Sequence, residues 1–128
     1  MSDNGNDVKY TINTIGFDVV DTRVSFIQEV SYGPVPAMCF CAVTYVPFSA
    51  EVTFDYVPKD KFIEFESFDT WLGKEIPTEP HTIESLCLRI FLALAEVLGD
   101  IPLAVTVTAT TTVHGPAETQ VSSTEWRT

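Results

Sequence analysis

Positive charge is scarce in this chain. Seven Lys and Arg stand against 18 Asp and Glu, a net charge of −11, and the seven are scattered. Phosphate recognition needs clustered Lys and Arg, so neither a nucleic acid nor an anionic membrane surface is expected as a partner. Long apolar stretches are missing as well. Ile90 to Ala95 is uninterrupted but far below the roughly 20 residues needed to span a bilayer. Cysteine is sparse: Cys39, Cys41 and Cys87 are an odd count without framework spacing. Reduced thiols in a cytoplasmic protein are the simplest account. Met1 to Asp7 has no apolar run to serve as a targeting signal, and residues 1–10 are expected to be a flexible tail. One domain is then expected over 11–128, within the size range of a single core.

What is present is periodicity. Phe17 to Val30 alternates as a strand should, with Val20, Val24, Phe26 and Val30 on one face. Ser31-Tyr-Gly-Pro-Val-Pro36 reads as a turn or loop. In the next strand Phe48, Ala50, Val52, Phe54 and Tyr56 share one face, and Ser49, Glu51, Thr53 and Asp55 the other. Phe62 to Phe68 reads as a short extended piece. A long helix is predicted from about Pro80 to Leu98, with Pro80 in its first turn and Gly99 at its C-terminal cap. Leu88, Phe91, Leu92 and Ala93 make its apolar face wider than one sheet would cover, which predicts burial against a neighbouring subunit. Leu103 to Val113 alternates cleanly, its other face being Ala104 and a row of threonines, and Glu118 to Trp126 returns as a last strand. Antiparallel strand pairs separated by a helical region define an α+β sandwich.

Several residues could carry chemistry. Glu84 falls in the opening turn of the helix, where the macrodipole favours a negative charge. Its two oxygens could accept paired hydrogen bonds from an N–H and an exocyclic NH₂ of a guanine-like ring. Read by itself it is equally a surface residue complementing the dipole. Cys41, read by itself, is a small hydrophobe in a strand, and Cys39 stands two residues before it. Cys39, Cys41, His81 and His114 would form a soft zinc set, but cysteines at i and i+2 and histidines with no fixed spacing to them argue against a metal.

The stretch Cys41-Ala-Val-Thr-Tyr-Val-Pro-Phe-Ser-Ala-Glu-Val-Thr-Phe-Asp-Tyr-Val-Pro58 resembles the catalytic strand of the 7-cyano-7-deazaguanine reductases, the nitrile reductases of queuosine biosynthesis. With Thr82-Ile-Glu-Ser-Leu86 opening the helix, the resemblance covers about Cys39 to Gly115. It implies the tunnelling fold, shared with pterin-type cyclohydrolases and lyases. That fold is an antiparallel sheet with one long helix, with or without a second short one, packed on one face. Its members form oligomeric β-barrel rings that bind purine- or pterin-like rings between subunits.

The resemblance makes Cys41 the nucleophile that forms a thioimide on a nitrile. It makes Glu84 the substrate anchor, since the family's Glu also stands six residues before a helical Ile, here Ile90. Glu64 and Ser67 match substrate-binding positions, and His81 and His114 lie near two more. The family has a His directly before its Glu, whereas Thr82 and Ile83 intervene after His81; His114-Gly115 aligns loosely with an Arg-Gly-Gly turn, where His114 contacts a ligand or simply caps a hairpin.

Two departures stand out. Phe48 occupies the place of the family's proton-transferring Asp, seven residues after the cysteine. Glu66 and Asp69 occupy the places of lysines that meet NADPH phosphates, which reverses the sign of that interaction. No cofactor is therefore expected unless the family activity is retained, in which case it would be NADPH. The resemblance favours an enzyme, nitrile reductase-like or a non-reductive cysteine-dependent one such as the archaeal relatives that make an amidine. The alternatives are an inactive ring-binding or structural protein, and a pterin-type lyase or cyclohydrolase.

Overall fold

The computed structural model describes residues 9–12, 18–21, 28–111 and 115–124. Two antiparallel sheets and two helices make up the described chain. Strands β1 (Lys9–Ile12), β2 (Asp18–Asp21) and β5 (Lys61–Ile63) form the smaller sheet, in the order β1-β2-β5. Strands β3 (Val30–Phe40), β4 (Pro47–Tyr56), β6 (Leu103–Thr111) and β7 (Ala117–Ser122) form the larger, in the order β3-β4-β6-β7. Helix α1 (Phe65–Glu75), a 3₁₀ turn (Ile76–Thr78) and helix α2 (Ile83–Leu98) lie between β5 and β6 in sequence. β1 begins inside the segment expected to be a tail, so Lys9 and Tyr10 belong to a sheet.

The period of two holds along β4. Phe48, Ala50, Val52, Phe54 and Tyr56 are all buried, while the alternate residues are partly or fully exposed. β6 supplies the matching layer through Leu103, Val105, Val107 and Ala109. Against this face α2 lays Leu86, Cys87, Ile90, Ala93, Leu94, Val97 and Leu98, a stripe at helical spacing. On the opposite sheet face Thr106 and Thr108 are half-buried and pair across to Gln120 and Glu118.

Three expectations are corrected. Phe17–Val30 is not one strand, because β2 ends at Asp21 and β3 begins at Val30; Phe17, Val24 and Phe26 lie outside the described residues. Ser31–Pro36 is not a loop but part of β3. The strand runs through a cis Gly33–Pro34 bond, and its register on β4 shifts between Tyr32 and Val35. β3 is an edge of its sheet, where a proline's missing N–H can face away from the ladder. Phe62–Phe68 is extended only to Ile63. The Glu64 carboxylate then accepts the N–H groups of Glu66 at 3.0 Å and Ser67 at 2.9 Å, which starts α1. Phe68, Trp71 and Leu72 follow at helical spacing and are buried.

The predicted long helix begins later than Pro80. Thr82 is its N-cap, its hydroxyl accepting from Ser85 N–H while the Ser85 hydroxyl accepts from Thr82 N–H. Gly99 caps the other end at φ 86°. Leu88 and Leu92 are 46% and 57% exposed, so the surplus apolar face is uncovered within one chain, although Ala93 is buried.

Aromatic rings join α1 to the sheet. Tyr32 stacks on Phe65 at 4.0 Å between centroids, and Phe54 meets Phe68 edge-on at 4.9 Å. The buried Tyr56 hydroxyl accepts the Ile63 N–H at 2.9 Å and so ties the two sheets together. Burial pushes the Tyr56 pKa up to about 12. Tyr32 also reaches about 12, through desolvation and then through its 2.7 Å hydrogen bond to Asp69. Because both values are raised on folding, the stabilisation is complete below the unfolded value near 10 and disappears as pH rises through about 12. An alkaline absorbance titration should show these two phenols ionising together with unfolding. Removing the Tyr56 hydroxyl (Tyr56→Phe) should cost about 1–2 kcal/mol in urea unfolding, because the Ile63 N–H then stays buried without an acceptor.

Candidate functional site

The chain reverses between β3 and β4 in a tight connection that begins at Cys41. Cys41 N–H donates to Val46 O at 3.0 Å, and Tyr45 N–H donates to Cys41 O at 2.8 Å. Tyr45 takes a left-handed φ of 60° to close the turn, and Thr44 Oγ1 accepts the Val46 N–H at 3.3 Å. Cys41 itself forms a parallel bridge with His81. Paired residues in such a ladder present their side chains to the same face.

The three thiols differ by environment. Cys41 is partly exposed, and its pKa lies below the ordinary thiol value. The main cause is a hydrogen bond from the Thr44 side chain, with the Thr44 and Val43 N–H groups adding to it. Cys39 and Cys87 are buried, and burial pushes both upward. Cys87 donates to Val105 O at 3.2 Å, and Cys39 packs in the sheet core. Of these cysteines, Cys41 alone combines access with thiolate character, which makes it the candidate nucleophile. Iodoacetamide should accordingly alkylate one equivalent rapidly in the folded protein, and Cys41→Ser should remove that fast phase. Equal labelling of Cys39 would overturn the assignment.

Cys41, Phe48, His81 and Glu84 all line one cleft of about 300 Å³. Most of the remaining wall is apolar: Val46 and Pro47 from the turn and β4, Ile83 from α2, and Ala109 and Ala117 from the adjoining ends of β6 and β7. Glu84 stands exposed in the first turn of α2, on the positive end of the helix dipole. Phe48 fills its wall with a buried ring that can neither give nor take a proton. Glu51 and Asp55 do point to the other face of β4, so neither replaces the missing acid.

His81 is 7% exposed and sits between the turn and the helix. Its Nδ1 is 3.1 Å from Ser85 Oγ. Its pKa is lowered, mainly by burial and further by Arg89, with Glu79 opposing. His114 lies outside the described residues.

Glu64 and Ser67 do not line this cleft; they form the N-terminal cap of α1, where the Ser67 hydroxyl also donates to Glu64 O at 3.0 Å. This cap bears on the implied cofactor. The first N–H groups of α1, a natural phosphate cradle, already bind the Glu64 carboxylate, and Glu66 and Asp69 add negative charge beside it. The residues present do not fit a dinucleotide phosphate. Among the described residues no group of three or more His, Cys, Asp and Glu is placed to hold a metal ion.

Sequence reasoning missed the part played by Thr44. The signal was present in the side chain three residues after Cys41, the reach of a turn closing back on its first residue.

The described architecture, a four-stranded antiparallel sheet covered by helices, is α+β and has the tunnelling fold. Among solved structures it matches the archaeosine synthase QueF-Like in its apo form, with a TM-score of 0.65 and 15% sequence identity. The match covers 79% of this chain and 96% of that one. At that identity the likeness is one of fold. No family model and no curated protein matches the sequence. Among the described residues, no helix is long and apolar enough to cross a membrane.

Proposed function

We propose that the cleft binds a flat nitrogen heterocycle of the 7-deazaguanine, purine or pterin type, with Glu84 holding its N–H and NH₂ edge and Cys41 facing its reactive substituent. One observation carries this reading. A thiol with a lowered pKa and a helix-N-terminal carboxylate, distant in sequence, line the same largely apolar cleft. A small-molecule site of this kind needs apolar walls for the ring faces and few polar groups for its edge. The fold shared with a QueF-Like synthase supports the same reading, in which the natural ligand would come from 7-deazapurine metabolism in the cytoplasm.

On a nitrile the thiolate would add to the carbon. A C–S bond forms, the C≡N triple bond becomes C=N, and the nitrogen takes a proton from solvent, leaving a thioimide. Reduction beyond that point would need a hydride source that the acidic cap of α1 does not favour, and Phe48 offers no proton relay. The same absence favours a second reading, a protein that binds the ring without turnover.

Intact mass after incubation with 7-cyano-7-deazaguanine separates them. An adduct that disappears in Cys41→Ala supports thioimide chemistry, whereas saturable binding without mass change supports the binding protein. A pterin that binds while the deazaguanine does not would move the chain to the lyase and cyclohydrolase group. Loss of the nitrile chromophore with NADPH would overturn the cofactor argument.

We also propose that the chain self-associates into a ring, covering Met38 and Phe40 on edge strand β3 together with Leu88 and Leu92 on α2, all of which are exposed in one copy. Light scattering that reports a monomer at micromolar concentration would refute this.

A further inference from the structure

The nucleophile and the carboxylate of the proposed site belong to different parts of the fold, and one residue joins them. His81 donates its N–H to Phe40 O at 2.8 Å, and its carbonyl accepts the Ala42 N–H at 3.1 Å. Its backbone therefore brackets Cys41 on both sides. Its ring reaches toward α2, with Nδ1 3.1 Å from Ser85 Oγ, the residue after Glu84. That hydroxyl is itself held by Thr82 N–H at 3.0 Å, within the cap of the helix. The other ring nitrogen contributes little. Nε2 is buried without a hydrogen bond, 3.4 Å from Glu79 Oε1, an oxygen that also lies 3.6 Å from Arg89 Nε. An imidazole with one buried nitrogen left unfilled packs worse than a hydrocarbon of similar size. What the side chain supplies is the Nδ1 link.

We propose that His81 is a positioning residue that sets the Cys41 thiol relative to the Glu84 carboxylate by tying the Cys41–Val46 turn to the first turn of α2. The inference rests on the reading of Cys41 and Glu84 as one site. Its physical route is short. Ala42, which His81 holds, directly precedes Val43 and Thr44, whose N–H groups and hydroxyl converge on the thiol. When the Nδ1 link is cut, His81 loses its side-chain anchor on the helix and the turn it holds loses its outer support. The donors then swing away from sulfur.

The test is the pH dependence of Cys41 alkylation, read by peptide mass, in the native protein and in His81→Ala, His81→Asn and His81→Gln, with a thermal melt of each. In His81→Ala the rate at neutral pH should fall about tenfold as the midpoint moves up about one pH unit. Asparagine places an amide near the Nδ1 position, so His81→Asn should stay within about threefold of native. Glutamine reaches toward Nε2, so His81→Gln should behave as alanine does.

The proposal is overturned if all variants keep the native profile, or if Asn and Gln lose reactivity alike in step with their melting temperatures. Should His81→Ala fail to fold, the contrast between Asn and Gln decides alone. Alkylation needs no ring ligand. A native protein that binds no heterocycle but shows the contrast sinks the functional reading and leaves the positioning role of His81. A protein that binds the heterocycle without the contrast does the reverse.

Discussion

Glu84→Gln should weaken binding of a guanine-like ring by about 2.5 kcal/mol, roughly seventyfold in Kd, as measured by calorimetry with 7-cyano-7-deazaguanine. The substitution keeps the length and shape of the side chain. It converts one acceptor oxygen into a donor NH₂, which then faces the donor edge of the ring. The charge-assisted pair is lost and a donor–donor contact replaces it. The helix should tolerate the change, since Glu84 is exposed and the cap is made by Thr82 and Ser85. The loss of the favourable dipole contact should cost under about 1 kcal/mol of stability. The prediction therefore separates binding from folding. An unchanged Kd would mean that Glu84 merely complements the helix dipole, the plain alternative that its position in sequence always allowed.

Much of the fold was legible because its largest burials follow a single period. In β4 every second residue from Phe48 to Tyr56 is buried, and α2 keeps its apolar residues at helical spacing up to Gly99. Where the periods tie, local reading failed. Over Phe62–Phe68 an alternating and a helical pattern fit equally well, and the Glu64 carboxylate settles the matter by capping a helix. In Ser31–Pro36 the Gly-Pro-Val-Pro punctuation is real, but an edge strand can absorb it as a shift of register, and edge position is a tertiary property. The start of α2 was readable in Thr82-Ile-Glu-Ser85, a hydroxyl pair at capping distance, which outweighs Pro80.

The site was legible to a lesser degree. The spacing of Cys41 and Phe48 and the first-turn place of Glu84 could be read from sequence, and both lie on the cleft. Apart from the resemblance, nothing in the sequence distinguishes Cys41 from Cys39, because the difference between an acidified thiol and an inert one is made by a turn after one and a packed core around the other. Nor could the sequence show that His81 bridges the strand end to the helix, because that pairing joins residues 40 positions apart in sequence.

The largest expected loss of stability is at Gly33. Its φ of +122° lies where side-chain-bearing residues are strained, and a Cβ there would meet Val52 O at 2.5 Å and Thr53 Cα at 2.9 Å. Both obstacles are backbone. They cannot retreat, because β4 is held on its far side by β6, with Val52 opposite Val107 and Thr53 opposite Thr106. Gly33→Ala must therefore push β3 away from β4 at the point where their register already shifts. Strain and lost ladder bonds together should cost about 3 kcal/mol or more, a drop on the order of 10 °C in Tm.

A control sits in the same chain. Gly73 lies within α1 with nothing inside 4 Å of its would-be Cβ, so Gly73→Ala should be neutral or stabilising by up to about 1 kcal/mol. Equal behaviour of the two variants would show that the path of β3 through Gly33 is wrong. That path also matters to the site. β3 delivers Cys41 at its end, and pairing of Cys39 with Phe48 fixes which cysteine emerges beside the cleft. A Gly33→Ala protein that refolds by slipping β3 one residue would turn the side chains of Cys39 and its neighbours to the opposite face. Its rapidly alkylated thiol, found by peptide mass, would then no longer be Cys41 alone. Loss of stability with labelling still confined to Cys41 would place the damage in the bulge and leave the register from Val35 to Phe40 intact.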